Sequence, residues 1–288
     1  FARFVPGNHI FTKFVMIMMA SRLLSAVIFL CLSASALNSQ YRPNPDIVLE
    51  NSAFKEGEWL KFRVHYGIFN ASYATLHLTS ETLKGTPVYH VVGTGKTTGF
   101  ASIFFKVDDR YESYFGKTDG RPYRFIRKID EGGYTRDVEI NFDYSQKKAL
   151  YHDKKKEEKK HFDIEHSIQD LISAFYYLRN AYDVSDLVLG ESLELKVLFD
   201  DDGIFTFRLK YLGKETLKTK FGNVECLKFR PFVQSGRVFK EEESLSLWVS
   251  NDRNKIPIRI QADLLVGSIK ADLEAYNSLK NQFKIILD

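Results

Sequence analysis

Apolar and polar residues alternate along most of the chain beyond residue 56. From Leu60 to Ile68 every second residue is apolar or aromatic, and Lys61, Arg63 and His65 lie between them. A period of two places one face of a β-strand against a core and the other face in water. The same alternation recurs at 138–142, 205–211, 245–249 and 256–260. The pattern therefore predicts an all-β fold.

Residues that favour turns separate these runs. Gly, Pro, Asn and Asp cluster at 84–87, 119–120, 131–133, 221–223 and 251–254. These residue types adopt the backbone conformations that tight turns require. Many short strands with turns at this spacing are typical of an antiparallel meander.

One segment, residues 168–180, has the spacing of a helix. Apolar side chains recur there at steps of three and four residues, at Ile168, Leu171, Ile172, Phe175 and Leu178. Such spacing gives a helix one apolar side. Ser167, followed by Asp170, predicts the N-terminal cap. We expect this amphipathic helix to pack on the sheet.

Two stretches of the chain repeat each other weakly. Short motifs return in the same order at a nearly constant offset: Gly57-Glu58 as Gly190-Glu191, residues 81–84 as residues 215–218, and Pro122-x-Arg124 as Pro257-x-Arg259. A shared order at constant spacing is the signature of an internal repeat. We predict a duplication, with repeat one at 57–143, a connector containing the helix at 144–189, and repeat two at 190–276.

The predicted repeats limit the possible architectures. Each repeat has room for about six strands, so we expect about 11–12 strands in total, more than open twisted sheets usually hold without curling. Either the halves form one strongly curved sheet that wraps the helix, or each half closes as a small barrel. We favour a half-barrel or barrel-like curved sheet, with residues 37–288 as a single mature β domain.

The first 36 residues differ from the rest. Residues before Met16 are interpreted as upstream sequence. After Met16 the chain continues with one charge, Arg22, then with the apolar run Leu23–Leu32, and then with the small residues Ser33–Ala36. This order is typical of a secretory signal that is cleaved after Ala36. A helix needs about twenty apolar residues to cross a bilayer, so we expect no transmembrane segment after cleavage; an uncleaved anchor is the alternative.

Charge and cysteine content argue against several classes of function. The chain has 41 basic and 37 acidic residues, and residues 1–36 hold three of the basic ones and none of the acidic ones. A mature protein that is nearly neutral lacks the basic charge that attracts nucleic acid. Of the two cysteines only Cys226 follows residue 36. An intramolecular disulfide is then impossible, and we predict that Cys226 is a buried thiol.

Several short motifs suggest chemistry, but none has the full pattern. Residues 92–99 resemble a phosphate loop, yet His90 stands where that loop needs glycine, and no helix pattern follows. Asp200–Gly203 lacks the ligand spacing of a calcium loop and is predicted to be a solvated hairpin turn. His65, His77 and His90 lie on successive strands without the cysteine or carboxylate pattern of a metal site. We predict no catalytic residue, no metal and no cofactor.

Two longer motifs resemble a known family. One runs from Asp170 to Arg179, and the other runs from Leu247 to Ile258 and is followed by Gly267-Ser268-Ile269. Together they resemble the bacterial domain-of-unknown-function family 3108, over nearly all of residues 54–276. The resemblance implies an exported protein of the periplasm or outer envelope of a Gram-negative type cell, similar in architecture to curved-sheet lipoprotein carriers. It implies no activity and no functional residues.

The chain is rich in aromatic residues, with 24 Phe and 15 Tyr. Most are expected to fill the core between sheet and helix. If the concave side is underfilled, it forms an apolar cavity with Tyr176, Tyr177 and Arg179 at its mouth, where Arg179 would meet an anionic head group. Our first hypothesis is a non-enzymatic binding or carrier protein for a lipid-like or amphiphilic ligand. The alternatives are a structural or partner-binding envelope module without a small ligand, and a glycan-acting envelope hydrolase.

Overall fold

The computed structural model describes residues 40–41, 53–99, 102, 105–232 and 245–286, so the predicted signal peptide lies outside the described residues. Within them, fifteen strands form one sheet. The strands are β1 (Gln40–Tyr41), β2 (Trp59–Tyr66), β3 (Phe69–Leu83), β4 (Thr86–Thr97), β5 (Asp108–Gly116), β6 (Pro122–Glu131), β7 (Tyr134–Asp143), β8 (Lys148–Asp153), β9 (Glu158–Asp163), β10 (Ser192–Val197), β11 (Phe205–Thr219), β12 (Gly222–Phe232), β13 (Leu245–Ser250), β14 (Pro257–Asp263) and β15 (Ser268–Asn277). Helix α1 (Leu171–Leu178) and a short 3-10 helix (Val184–Asp186) lie between β9 and β10.

The sheet consists of two halves joined at a seam. Its order is β1-β10-β11-β12-β13-β14-β15-β2-β3-β4-β5-β6-β7-β8-β9. Neighbouring strands are antiparallel, except that β1 is parallel to β10. At the seam β15 pairs with β2, from Ile269 opposite Tyr66 to Asn277 opposite Trp59. The edges at β1 and β9 stay apart, so the sheet is curved and unclosed, which confirms the predicted fold class.

The structure has more strands than the 11–12 predicted. The stretch 57–143 holds β2–β7 and the stretch 190–276 holds β10–β15, six strands each. The others are β1 and the hairpin β8–β9 in the connector. Strand β9 has no fully buried residue, so its sequence carries no apolar period that would predict it. The matching strand order of the halves fits a duplication, which stays a prediction.

Helix α1 begins later than residue 168 and is capped by a different residue than predicted. Asp170 is the N-cap: its carboxylate accepts hydrogen bonds from the backbone N–H groups of Ile172 and Ser173, both at 2.8 Å. In return, the backbone N–H of Asp170 donates to the Ser173 hydroxyl at 2.8 Å. This reciprocal pair is a capping box in which Asp170 and Ser173 take the roles expected of Ser167 and Asp170.

The backbone before α1 explains the late start. The N–H of Gln169 donates to the carbonyl of Lys196 at 2.9 Å, and the N–H of Leu198 donates to the carbonyl of Gln169 at 2.9 Å. Gln169 thus pairs alongside the end of β10 in an extended conformation. A residue held in this pairing cannot be part of the helix, which overrides the apolar spacing that begins at Ile168. None of the helices in the described residues is long and apolar enough to cross a bilayer.

Helix α1 packs inside the curve of the sheet. It contacts both β5 and β10, which belong to opposite halves. Its buried side chains join one large core with inward-facing residues of both halves, among them Tyr111, Phe125, Val138, Leu209 and Phe229. Burial of this apolar surface is the main force that holds sheet and helix together. The helix therefore occupies the concave side.

Candidate functional site

The three residues predicted to bind a ligand lie in the core. Tyr176, Tyr177 and Arg179 are 1%, 6% and 3% exposed. The structure brings Tyr176 and Arg179 together, with the guanidinium 5.3 Å from the centre of the Tyr176 ring. Tyr177 packs within the main core. Ligand binding by these residues stays a prediction, but their place in the fold is the interior and not an open mouth.

Arg179 is bound on all sides by the protein itself. Its two terminal nitrogens donate to the two carboxylate oxygens of Glu58, at 2.6 and 2.8 Å. Its Nε donates to the carbonyl of Asn254 at 2.8 Å, and Nη2 also donates to the carbonyl of Ala53 at 3.2 Å. Paired, two-point bonds of this kind are among the strongest in proteins. Burial by itself would lower the pKa of Arg179, but the attraction of Glu58 outweighs it, so the pKa is raised.

Aromatic rings enclose this ion pair. The guanidinium lies 5.3 Å from the ring centres of Phe54 and Phe175 as well as Tyr176. The rings of Phe54 and Tyr176 meet edge to face at 4.8 Å, a favoured arrangement. We call Phe54, Glu58, Phe175, Tyr176 and Arg179 the Arg179 cluster. It ties α1 to the segment that precedes β2.

The other end of α1 is held by a buried carboxylate. Asp170 is completely buried, and the Ser113 hydroxyl on β5 donates to its Oδ2 at 2.5 Å. Burial raises the pKa of Asp170 to about 7, against the opposing effect of the bonds from Ser113 and from the backbone of Ser173 and Ile172. Both ends of the helix are therefore fixed by buried polar contacts.

A second ionic network fastens the turn between β10 and β11 to the other half. Asp200 accepts a hydrogen bond from Arg127 at 2.8 Å and one from Arg136 at 2.9 Å. The Nε of Arg136 lies 3.2 Å from Asp153. The prediction of a solvated turn is wrong for Asp200, which is 8% exposed. Arg127 and Arg136 face the core from β6 and β7, and buried cations need a counter-ion.

The predicted histidines do not gather at one place. His90 bonds through opposite ring nitrogens to Glu81 at 2.6 Å and to Glu112 at 2.9 Å. Carboxylates on opposite sides of a ring cannot share a metal ion with it. His65 pairs elsewhere, with Asp272, and His77 is exposed. Among the residues that the structure describes, no cluster suited to a metal ion is found.

The remaining sequence motifs are parts of strands. Residues 92–97 belong to β4, so the stretch resembling a phosphate loop is largely extended sheet. Cys226 is free and buried in β12, which confirms the predicted thiol. Burial, together with the charge of Glu215, raises its pKa to about 12. A thiol in that state is a poor nucleophile.

Sequence reasoning missed the partners that fix the ionic groups. Glu58 and Arg179 are 121 residues apart, and Asp200 and Arg136 are 64 residues apart. No local pattern connects either pair. Glu58 was visible only as part of the repeated Gly-Glu motif, which carries no information about its partner.

Sequence comparison places the chain in a family. The profile described as "Protein of unknown function (DUF3108)" matches residues 61–274. The chain belongs to this family. The DUF3108 match runs from β2 to β15 and includes α1, which confirms the family predicted from the sequence motifs. No curated protein matches the chain.

Solved structures with a similar arrangement have low sequence identity to this DUF3108 protein. One is a β-barrel-like protein of the family DUF1849 from Brucella abortus, with 11% identity, a TM-score of 0.49, and coverage of 79% of this chain and 100% of the other. Another is a candidate lipoprotein from Parabacteroides distasonis, with 13% identity, a TM-score of 0.33, and coverage of 78% and 98%. We transfer no residue role from either protein.

Proposed function

We propose that this protein is a non-enzymatic module of the cell envelope that works through its outer surface, and that it does not enclose a small ligand. The observation that carries this proposal is the Arg179 cluster. The side chains expected at the mouth of a ligand cavity are buried in the core, and the cation expected to bind the ligand is paired with Glu58. The role of the protein is then structural or partner-binding.

The contacts at both ends of α1 support a fixed helix. Separating Arg179 from Glu58 would leave a buried charge without its partner, a change that costs about 3–5 kcal/mol. At the other end, Asp170 links the first turn to Ser113 of β5. A carrier that admits an amphiphile to the concave side would have to break both sets of contacts.

The third hypothesis, a glycan-acting hydrolase, needs two carboxylates on either side of a substrate bond. Three of the acids in the interior, Asp153, Asp200 and Asp201, lie within ion-pair distance of Arg136. Carboxylates neutralised in this way hold the fold together. This observation favours a module over an enzyme.

Native mass spectrometry tests the proposal. The protein is purified without detergent from the envelope fraction of cells that express it, and its mass is measured in the folded state. We expect the mass of the polypeptide alone, with residue 37 at its N-terminus if the signal is cleaved as predicted. A lipid or other amphiphile that remains bound at a one-to-one ratio, and is released on denaturation, would overturn the proposal.

Two variants sharpen the test. The Tyr176 hydroxyl is buried, and no hydrogen-bond partner for it lies in the described part of the chain. Tyr176→Phe should therefore leave stability within about 0.5 kcal/mol of the parent or raise it, because no bond is lost. Arg179→Met should lower stability, and its native mass should again be that of the polypeptide alone. If either substitution releases a bound molecule instead, these residues line a ligand site and the carrier hypothesis is correct.

A further inference from the structure

Four large apolar side chains point into solvent at two turns of the sheet. Ile68 lies in the turn between β2 and β3 and is 89% exposed, and Phe69, the first residue of β3, is 66% exposed. Leu265 and Val266 lie in the turn between β14 and β15, with 104% and 75% exposed. We call these four residues the tip patch. Single exposed apolar residues are common on proteins, but four at neighbouring turns form a patch that calls for a partner.

The two turns are neighbours at the seam between the halves. Strands β2 and β15 pair directly, and Tyr66 lies opposite Ile269 at the end next to both turns. The Tyr66 hydroxyl donates to the carbonyl of Val266 at 2.9 Å, so the first hairpin is bonded to the tip of the second. The tip patch is therefore one surface made of two adjoining hairpins.

Three backbone carbonyls at these turns, those of Gly67, Val266 and Gly267, are bonded from within the protein. The carbonyl of Gly67 lies 2.7 Å from Nδ1 of His65, and Nε2 of the same ring lies 3.0 Å from Asp272. In the other turn, the N–H of Leu264 donates to the carbonyl of Gly267 at 3.0 Å, and the Val266 carbonyl is bonded as described. In water, a turn carbonyl can accept a hydrogen bond from the solvent, so side-chain donors are not needed there. They are needed where water is replaced by an apolar medium, because an unsatisfied carbonyl is costly there.

The size and charge of the patch favour a bilayer over a protein partner. Its exposed area is on the order of 500 Å², less than the roughly 800 Å² that each side of a standard protein interface buries. None of its side chains can donate or accept a hydrogen bond, whereas protein interfaces are rich in such groups. Among the described basic residues on the β4 side of the patch, Lys96 and Lys106 lie 3.1 and 3.8 Å from acidic partners, so these two charges are paired within the protein.

We propose that the tip patch inserts into the interfacial layer of a lipid bilayer and anchors this end of the sheet at a membrane surface. Insertion is driven by burial of apolar side chains and not by charge. Binding should therefore depend only weakly on salt and on the charge of the lipid. This proposal does not depend on the state of the concave side, so its failure would leave the proposed surface-acting module unaffected.

Vesicle flotation and a site-specific fluorophore test the proposal. The exported form of the protein is mixed with vesicles of phosphatidylethanolamine and phosphatidylglycerol and floated at low and at high salt. A Phe69→Trp variant is mixed with vesicles that carry bromine on the acyl chains. We expect flotation at both salt concentrations, a blue shift of the emission that Trp adds at position 69, and quenching by the bromine.

Serine substitutions locate the contact. Each substitution in the tip patch should weaken partitioning by about tenfold, the cost of losing one buried aliphatic or aromatic side chain, and the fourfold variant should weaken it by more than about 100-fold. The matched control is Val188→Ser with Leu189→Ser, which removes another exposed apolar pair, 55% and 70% exposed, beside β10, five strands from β15. The control should float like the parent. Circular dichroism and the thermal midpoint verify that all variants are folded.

Three results would overturn the proposal. The first is an absence of bromine quenching at position 69. The second is flotation, at the level of the parent, of the variant that carries all four serine substitutions. The third is a stable dimer or complex that the fourfold variant loses while vesicle binding is unchanged, because the tip patch would then be a protein interface.

Discussion

Replacing Glu58 with glutamine tests how firmly α1 is fixed in the concave side. Glutamine has nearly the shape of glutamate, so the packing around Phe54 and Tyr176 should change little. What it removes is the negative charge that faces the Arg179 guanidinium at 2.6 and 2.8 Å. Any loss of stability therefore reports on the buried cation.

The structure sets the expected magnitude. The side chains of Arg179 and Glu58 are 2% and 0% exposed, so solvent cannot screen the charge that remains. Ion pairs at the surface contribute about 0–1 kcal/mol, whereas removing one partner of a buried pair costs about 3–5 kcal/mol. We expect Glu58→Gln to lower the free energy of unfolding by about 3–5 kcal/mol, a large share of the roughly 5–15 kcal/mol that holds a typical domain together.

Urea denaturation followed by circular dichroism measures the change. The matched control is Asp163→Asn, which makes the same kind of replacement in the exposed pair with Lys148, where the side chains are 87% and 51% exposed. The control should lose less than about 1 kcal/mol. The double variant Glu58→Met with Arg179→Met should recover much of the loss, because no unpaired charge is left. Equal effects of Glu58→Gln and Asp163→Asn would refute the reasoning.

Three further changes test other parts of the interior. Burial raises the pKa of Asp170 from its ordinary 3.8 to about 7, so the folded state binds this proton more tightly than the unfolded state, and the contribution of Asp170 to stability falls as pH rises from about 4 to 7. Asp170→Asn should therefore flatten the pH dependence of the urea midpoint across this range. An unchanged slope would contradict the assignment. Asp200→Asn should lower the free energy of unfolding by about 3 kcal/mol, because Arg127 and Arg136 lose their shared counter-ion. It should also speed amide hydrogen exchange of residues 198–204, and unchanged exchange would show that the turn is held by other contacts. Cys226, with a pKa of about 12, should resist alkylation in the native protein and react on unfolding, as read from the mass of its peptide.

The candidate site shows where prediction from sequence stops. Tyr176 and Arg179 were correctly placed close together, at the end of α1 and at its C-cap, because their spacing is local. Their environment was not predicted, because Glu58 and Asn254 approach from opposite ends of the chain. Asp200 was misjudged for the same reason: a run of acids in a turn is usually solvated, and only the fold brings two buried arginines to it.

The fold was more accessible than the site. Alternation of apolar and polar residues predicted the strands of both halves, since burial of one face leaves a period of two in the sequence. Strand β9 was not counted among the 11–12 predicted strands because neither of its faces is fully buried. The start of α1 was misplaced because Gln169 pairs with the chain beside β10, a contact between segments that the local spacing at Ile168 cannot report.

The sequence by itself determined most elements of this protein: the strands of both halves, the turns between them, the presence of the helix, and the family. These follow from periodicity and turn chemistry, which act between residues close together in the chain. Only the tertiary structure decided that Tyr176, Tyr177 and Arg179 are buried, that Arg179 meets an internal carboxylate, and that two turns almost 200 residues apart share one apolar tip. Such features depend on distance in space, and the seam between β15 and β2 creates that proximity.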